Sequence, residues 1–138
     1  MIRGRIPSSD IGTEALISEA FDRSRVTALR HAVAACAEAA GLTGDRLDDF
    51  VVAVNELLTN AVRHGGGAGH LILSCRDGSV ICEVTDHGPG AGDLPREKPA
   101  PDEPGGWGLY LVRELTDTFT IKTGPEGTAV RVSTRTTG

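Results

Sequence analysis

Glu56 and Asn60 stand four residues apart in the run Asn55 to Gly65, on roughly the opposite side of the helix from its apolar stripe. At ~100° per residue the two polar side chains sit one turn apart on one helical face. An Asn side-chain carbonyl is a hard oxygen ligand of the kind Mg²⁺ accepts while keeping several waters. A carboxylate one turn away can take a proton from an attacking hydroxyl or water. Taken alone, the pair is also what an exposed helix face commonly carries.

A second group of residues follows a strand: Asp86-His87-Gly88-Pro89-Gly90. Asp at a strand end can accept from an exocyclic amine such as that of adenine, and the glycines let backbone approach a ligand. A third, Gly105-Gly106-Trp107-Gly108-Leu109, opens a helix after a Pro-rich stretch. Glycines at a helix start leave free N–H groups where an anion can bind. This is not a Walker loop, since no Gly-Lys-Ser/Thr follows, and no strand feeds it as a dinucleotide fingerprint requires. Trp107 either lines that loop or anchors it apolarly.

These residues need elements to hold them. Ala15 to Phe21 reads as a first strand, and Asp22 or Ser24 as the cap of a helix whose Val26, Leu29, Val33, Cys36 and Ala40 recur at helical spacing. Gly41 stops it. A longer helix runs from near Thr43 to His64, with Leu47, Phe50, Val51, Val54, Leu58, Ala61 and Val62 as its apolar stripe; Gly65-Gly66-Gly67 ends it.

Residues 70–85 form a hairpin about Asp77-Gly78, a type I′ turn signal. Pairing Arg76 with Ser79 sets Cys75 against Val80, Leu73 against Cys82 and Leu71 against Val84, all on one face. Pro95, Pro99, Pro101 and Pro104 make residues 91–104 a loop, of a length often used as a lid. A short helix from Gly106 to about Thr116 follows. A second hairpin closes the chain, with Gly124-Pro125-Glu126-Gly127 as its turn. The fold class is α+β: a two-layer sandwich of a mixed, mostly antiparallel sheet with its helices on one face, one domain over residues 1–138.

Composition narrows the function. Fourteen Lys+Arg against 19 Asp+Glu give a net charge of −5, with no basic run to grip a phosphate backbone, so nucleic acid is not an expected partner. No segment has the length or apolarity of a membrane span or signal peptide. The three cysteines are odd in number and without a Cys-x-x-Cys spacing, which points away from disulfides or structural zinc and toward a reducing cytoplasm. His64 and His70 flank glycines without a carboxylate–His ligand set, and His64 reads as a cation at a helix C-terminus. The acidic Asp45, Asp48 and Asp49 read as a solvated helix start, or as a face for a basic partner.

In order and context the three motifs resemble the GHKL superfamily, which includes gyrase, a heat-shock chaperone, mismatch-repair ATPases and sensor histidine kinases. Asn55-Glu56-Leu57-Leu58-Thr59-Asn60-Ala61-Val62-Arg63-His64-Gly65 is similar to its N-box, and Gly127-Thr128 to its last glycine element. The resemblance spans roughly residues 15–134. It implies a Bergerat fold that binds ATP with Mg²⁺. Asn60 would hold the metal, Glu56 would be the general base and Asp86 would bind adenine. Gly88 and Gly90 would shape the base pocket, while Gly105, Gly106, Trp107, Gly108 and Leu109 would form the phosphate cradle. Thr128 would reach the base through water, and residues 91–104 would be the lid.

Within that superfamily the chain looks like the small anti-sigma-factor serine/threonine kinases. The resemblance then implies two partners, a sigma factor and a phosphorylated anti-anti-sigma protein of the STAS type, and a homodimer for which Ile72 and Ile81 offer slim apolar surface. A histidine kinase needs a dimerisation segment with a phospho-accepting His; His31 reads instead as a rim residue. Gyrase-like and chaperone-like readings require transducer domains. The rival from another class is a nucleotide-binding sequestering module without phosphotransfer, or an orphan histidine-kinase-like domain; Glu56 counts against it, since a pure binder has little need of a base.

Overall fold

The computed structural model describes residues 14–87 and 106–136. Strand β1 (Glu14–Asp22) is followed by a short 3₁₀ turn and helix α1 (Val26–Ala39). Then come α2 (Gly44–His64), β2 (Ala68–Arg76), β3 (Ser79–Asp86), α3 (Gly106–Leu115), β4 (Thr118–Gly124) and β5 (Gly127–Arg135). The five strands form one sheet in the order β1-β2-β3-β5-β4, and each pairing between them is antiparallel. The helices lie against one face, as the α+β two-layer reading expects: α1 contacts β1, α2 crosses β2, β3 and β5, and α3 packs on α2 and β4.

Local chemistry sets the boundaries. Asp22 Oδ1 accepts from Ser24 Oγ at 2.6 Å and from the Ser24 backbone N at 2.9 Å, capping the 3₁₀ turn that leads into α1; the side-chain bond first, then the backbone bond, lowers the Asp22 pKa. At the other end of α1, Leu42 N bonds Ala37 O and Gly41 N bonds Glu38 O, both at 3.0 Å. That is a Schellman cap, with Gly41 at φ +116° and Leu42 fully buried beneath it. The β2–β3 hairpin has the expected register, Arg76 opposite Ser79 and Leu71 opposite Val84. Asp77 (φ 52°) and Gly78 (φ 78°) both take positive φ, as a type I′ turn demands.

Between the layers α2 buries Phe50, Ala53, Val54, Leu57, Leu58 and Ala61. Each larger side chain there contributes about 1.5–3 kcal/mol relative to exposure. Opposite them the sheet presents apolar rows read across strands: Val84–Val130–Ile121, then Cys82–Val132–Phe119. Burial pushes the Cys82 thiol far up, so it stays neutral and acts as a small hydrophobe. Among the described residues, no helix is long and apolar enough to cross a membrane.

Candidate functional site

One row up from those apolar rows, at the end of the sheet, the residue types change. Asp86 on β3 pairs with Thr128 on β5, which pairs with Thr123 on β4. Paired residues project to the same face, so three polar side chains stand side by side where the rows below are aliphatic. Thr128 is 5% exposed, and its Oγ1 lies 3.1 Å from Thr123 Oγ1.

The last turns of α2 close over this row. Asn60 and His64 face it across a narrow cleft with a volume of about 10 Å³, room for a single water. Asp86 and Thr128 line the opposite wall, and Leu57, Ala61, Val84 and Val130 supply apolar surface. The composition of the lining, though not its present width, suits a flat aromatic ligand: apolar contact for its faces and a few fixed polar groups at its edge.

Two glycines make room for Asp86. A methyl added at Gly65, just past α2, would overlap the Asp86 carboxyl group. Gly65 has φ −109°, which any residue adopts, so space and not conformation requires glycine here. A methyl at Gly127 would overlap the Asp86 backbone carbonyl, and its φ of +137° excludes most other residues as well.

Glu56 lies one turn back along α2 and points at a different element. Its Oε1 would be 2.9 Å from a methyl placed on Gly108, in the first turn of α3. A carboxylate beside the N-terminal turn of a helix lies in a favourable field. Beside it, Arg30 Nη1 on α1 donates to Asn55 Oδ1 at 3.4 Å, a long bond that ties α1 to this part of α2. Gly106 and Trp107 begin α3, and Leu109 is buried in the core.

The structure therefore gathers Asn60, Asp86 and Thr128 about one cleft and sets Glu56 against Gly108 beside it. Gly88, Gly90, Gly105 and the 91–104 loop lie outside the described residues. Three contributors escaped the sequence reading. His64, read there as a helix-end cation, also lines the cleft. Gly65, read as a terminator, is the spacer for Asp86. Thr123 had no local signal at all; only its register opposite Thr128 gives it a place.

Among the described residues, no three His, Cys, Asp or Glu side chains converge as a metal cage. Asn60 lines the cleft together with Asp86 and His64, and a side-chain amide oxygen is a donor that suits a hard cation sharing its remaining sites with phosphates and water.

Comparison with known proteins adds lineage to this geometry. Residues 20–134 match the histidine kinase-like ATPase domain family. Anti-sigma F factors from two strains of Clostridium botulinum are each 32% identical over 115 residues, covering 75% of this chain and 80% of theirs. A Mycobacterium tuberculosis structure of RsbU and RsbW domains superposes with a TM-score of 0.64 at 21% identity. That alignment covers 86% of this chain and 32% of that one, so the present chain spans about a third of it. The Acinetobacter baumannii histidine kinase AdeS superposes with a TM-score of 0.53 at 16% identity, covering 89% of this chain and 69% of its own. At those identities the two structures speak to fold alone.

Proposed function

The chain belongs to the histidine kinase-like ATPase domain family of GHKL type, and from that premise we propose that it is an ATP-dependent serine/threonine protein kinase of the anti-sigma kind. Its protein substrate is a STAS-type anti-anti-sigma partner, and it controls transcription by binding a sigma factor. The relatives named as anti-sigma F factors support the choice of partners.

One observation carries the catalytic reading: a single helix, α2, aims Asn60 into the cleft of Asp86 and Thr128 while setting Glu56 against the start of α3. In this reading Asp86 accepts from the adenine amine and the apolar lining covers the base. The phosphates extend toward the backbone N–H groups at the start of α3. Asn60, on α2, is the residue that would hold Mg²⁺ through its amide oxygen, and the metal would neutralise phosphate charge. The partner hydroxyl gives its proton to Glu56 as its oxygen bonds the γ-phosphorus, and the bond from that phosphorus to the β–γ bridging oxygen breaks to leave ADP. Catalysis of this type is mostly positioning and electrostatics, so rigid placement by α2 is the protein's main contribution.

The test uses the purified chain with ATP, Mg²⁺ and a STAS-domain protein, with phosphoserine or phosphothreonine read by mass spectrometry. Glu56→Gln is expected to keep ATP affinity and lose transfer by at least ~10²-fold, the usual scale for removing a general base. Binding by the wild type without transfer to any STAS partner would favour the sequestering module instead. Loss of both binding and transfer in Glu56→Gln would make Glu56 a structural residue.

A further inference from the structure

We infer that the outer face of the sheet carries a second binding site, a hollow that takes the phosphate group of a small organic phosphomonoester. It lies apart from the proposed ATP site and does not depend on it. Strand alternation points Ser79, Ile81 and Glu83 of β3 and Arg131, Ser133 and Arg135 of β5 away from the helices, because Val80, Cys82, Val84, Val132 and Thr134 between them are buried. Cross-strand pairing sets these residues in rows. Arg76–Ser79–Arg135 lies nearest the β2–β3 turn, Ile81–Ser133–Thr118 comes next, and Glu83–Arg131–Thr120 follows. There Arg76, Ser79, Ile81, Thr118, Arg131 and Ser133 line an open hollow of about 290 Å³, together with Asp77, whose side chain is 90% exposed. The cleft of Asp86 and Thr128 is at the other end of the sheet and on its other face.

The lining has the chemistry of an oxyanion site. In a chain of net charge −5 it gathers two guanidiniums and three hydroxyls around one apolar residue, Ile81. Guanidinium forks match the spacing of phosphate oxygens. Arg131 has no ion pair among the described residues, although Glu83 stands opposite it in register. Arg76 meets Asp77 at 3.7 Å, beyond hydrogen-bond length. Thr118 Oγ1 and Ser133 Oγ are 2.6 Å apart, and whichever donates, the other keeps a proton for a ligand oxygen. The frame is held in place: Thr136 N and Oγ1 both donate to Gly78 O, at 2.9 and 3.1 Å, tying the turn beside Arg76 to the end of β5. Pockets for drug-sized ligands start at about 300 Å³, so this hollow suits a phosphate bearing a few carbons, which rest on Ile81. Asp77 and Glu83 oppose an anion here, so removing the charge of either should tighten binding.

The experiment follows backbone amide NMR shifts of the full chain during titration with glycerol phosphate at constant ionic strength, with glycerol and sulfate as controls. Calorimetry measures ATP affinity for each variant. Saturable shifts are expected at Ser79, Ile81 and Ser133, with weaker binding of sulfate and none of glycerol. Arg131→Gln and Arg76→Gln should each weaken glycerol phosphate by ~5-fold or more, a figure kept modest because both side chains are exposed. Asp77→Asn keeps the type I′ turn chemistry and should tighten it by about twofold. ATP affinity should stay at the wild-type value in all three. Absence of saturable shifts at these amides, shifts confined to the cleft and the start of α3, or arginine variants that titrate like the wild type would overturn the site. Weaker binding in Asp77→Asn would do the same, and sulfate binding as tightly as glycerol phosphate would overturn the phosphomonoester assignment. If Arg76→Gln disturbs the hairpin, Arg131→Gln and Asp77→Asn carry the test. A wild type that fails to bind ATP overturns the proposed kinase and leaves this site standing.

Discussion

Strand β5 carries a buried threonine near each end on the same face, and the two do different things. Thr128 shares a hydrogen bond with Thr123 and lines the cleft beside Asp86. Thr134, 3% exposed, has a hydroxyl without a partner and is the one such buried side-chain group among the described residues. Around Thr128, glycines at 65 and 127 let Asp86 pack where any side chain would overlap it. Around Thr134 the chain closes space. Arg46 Nη1 donates to Asp117 Oδ2 at 3.3 Å and to Arg135 O at 3.1 Å, and Arg135 N donates to the same Asp117 oxygen at 2.8 Å. The start of α2, the α3–β4 junction and the end of β5 are thus clasped together. In the proposed reading one end of the sheet takes the ligand and the other holds the fold together. Substitutions at the two ends should separate cleanly into binding effects and folding effects.

The largest effect is expected at the open end. Gly65→Ala keeps an allowed backbone but drives a methyl into the Asp86 carboxyl, and should weaken ATP binding by at least ~10-fold for the loss of one well-placed charged hydrogen bond. Calorimetry measures the binding and a thermal melt the fold; intact binding would dissolve the distinction between the ends. At the closed end, Asp117→Ala should cost about 1 kcal/mol in denaturant unfolding, a modest figure because the group is 38% exposed, and should leave ATP affinity unchanged. Smallest and opposite in sign, Thr134→Val removes a buried hydroxyl that nothing satisfies and should stabilise by up to ~1 kcal/mol. A destabilised Thr134→Val would mean that hydroxyl has a role the closed end does not reveal.

The local devices were legible in the sequence. Asp77-Gly78 gave the hairpin register because a type I′ turn leaves no freedom in pairing, and the apolar stripe of α2 gave its span. The stripe set Glu56 and Asn60 on the far side of the helix, but both are half-buried, and Asn60 lines the cleft beside Leu57 and Ala61, facing β3 and β5. What could not be read was long-range adjacency. No periodicity says that β5 lies between β3 and β4, yet that order alone brings Thr128 beside Asp86 and Thr123 beside Thr128. Gly65 looked like punctuation because a helix end explains a glycine by itself. Its second reason, room for a carboxylate from another strand, exists only in three dimensions. Glu56 was chosen for its spacing from Asn60; its approach to Gly108 follows from α3 packing on α2.

The central claim, an adenine-nucleotide site between the end of α2 and the Asp86–Thr128 row, is tested most directly by calorimetric titration of ATP with Mg²⁺ into the wild type and Asp86→Asn. The substitution keeps the shape of the side chain and removes the charged acceptor. Saturable binding by the wild type that falls by at least ~10-fold in a folded Asp86→Asn is the expected result. Absence of binding by the wild type, or equal binding by both, would contradict it.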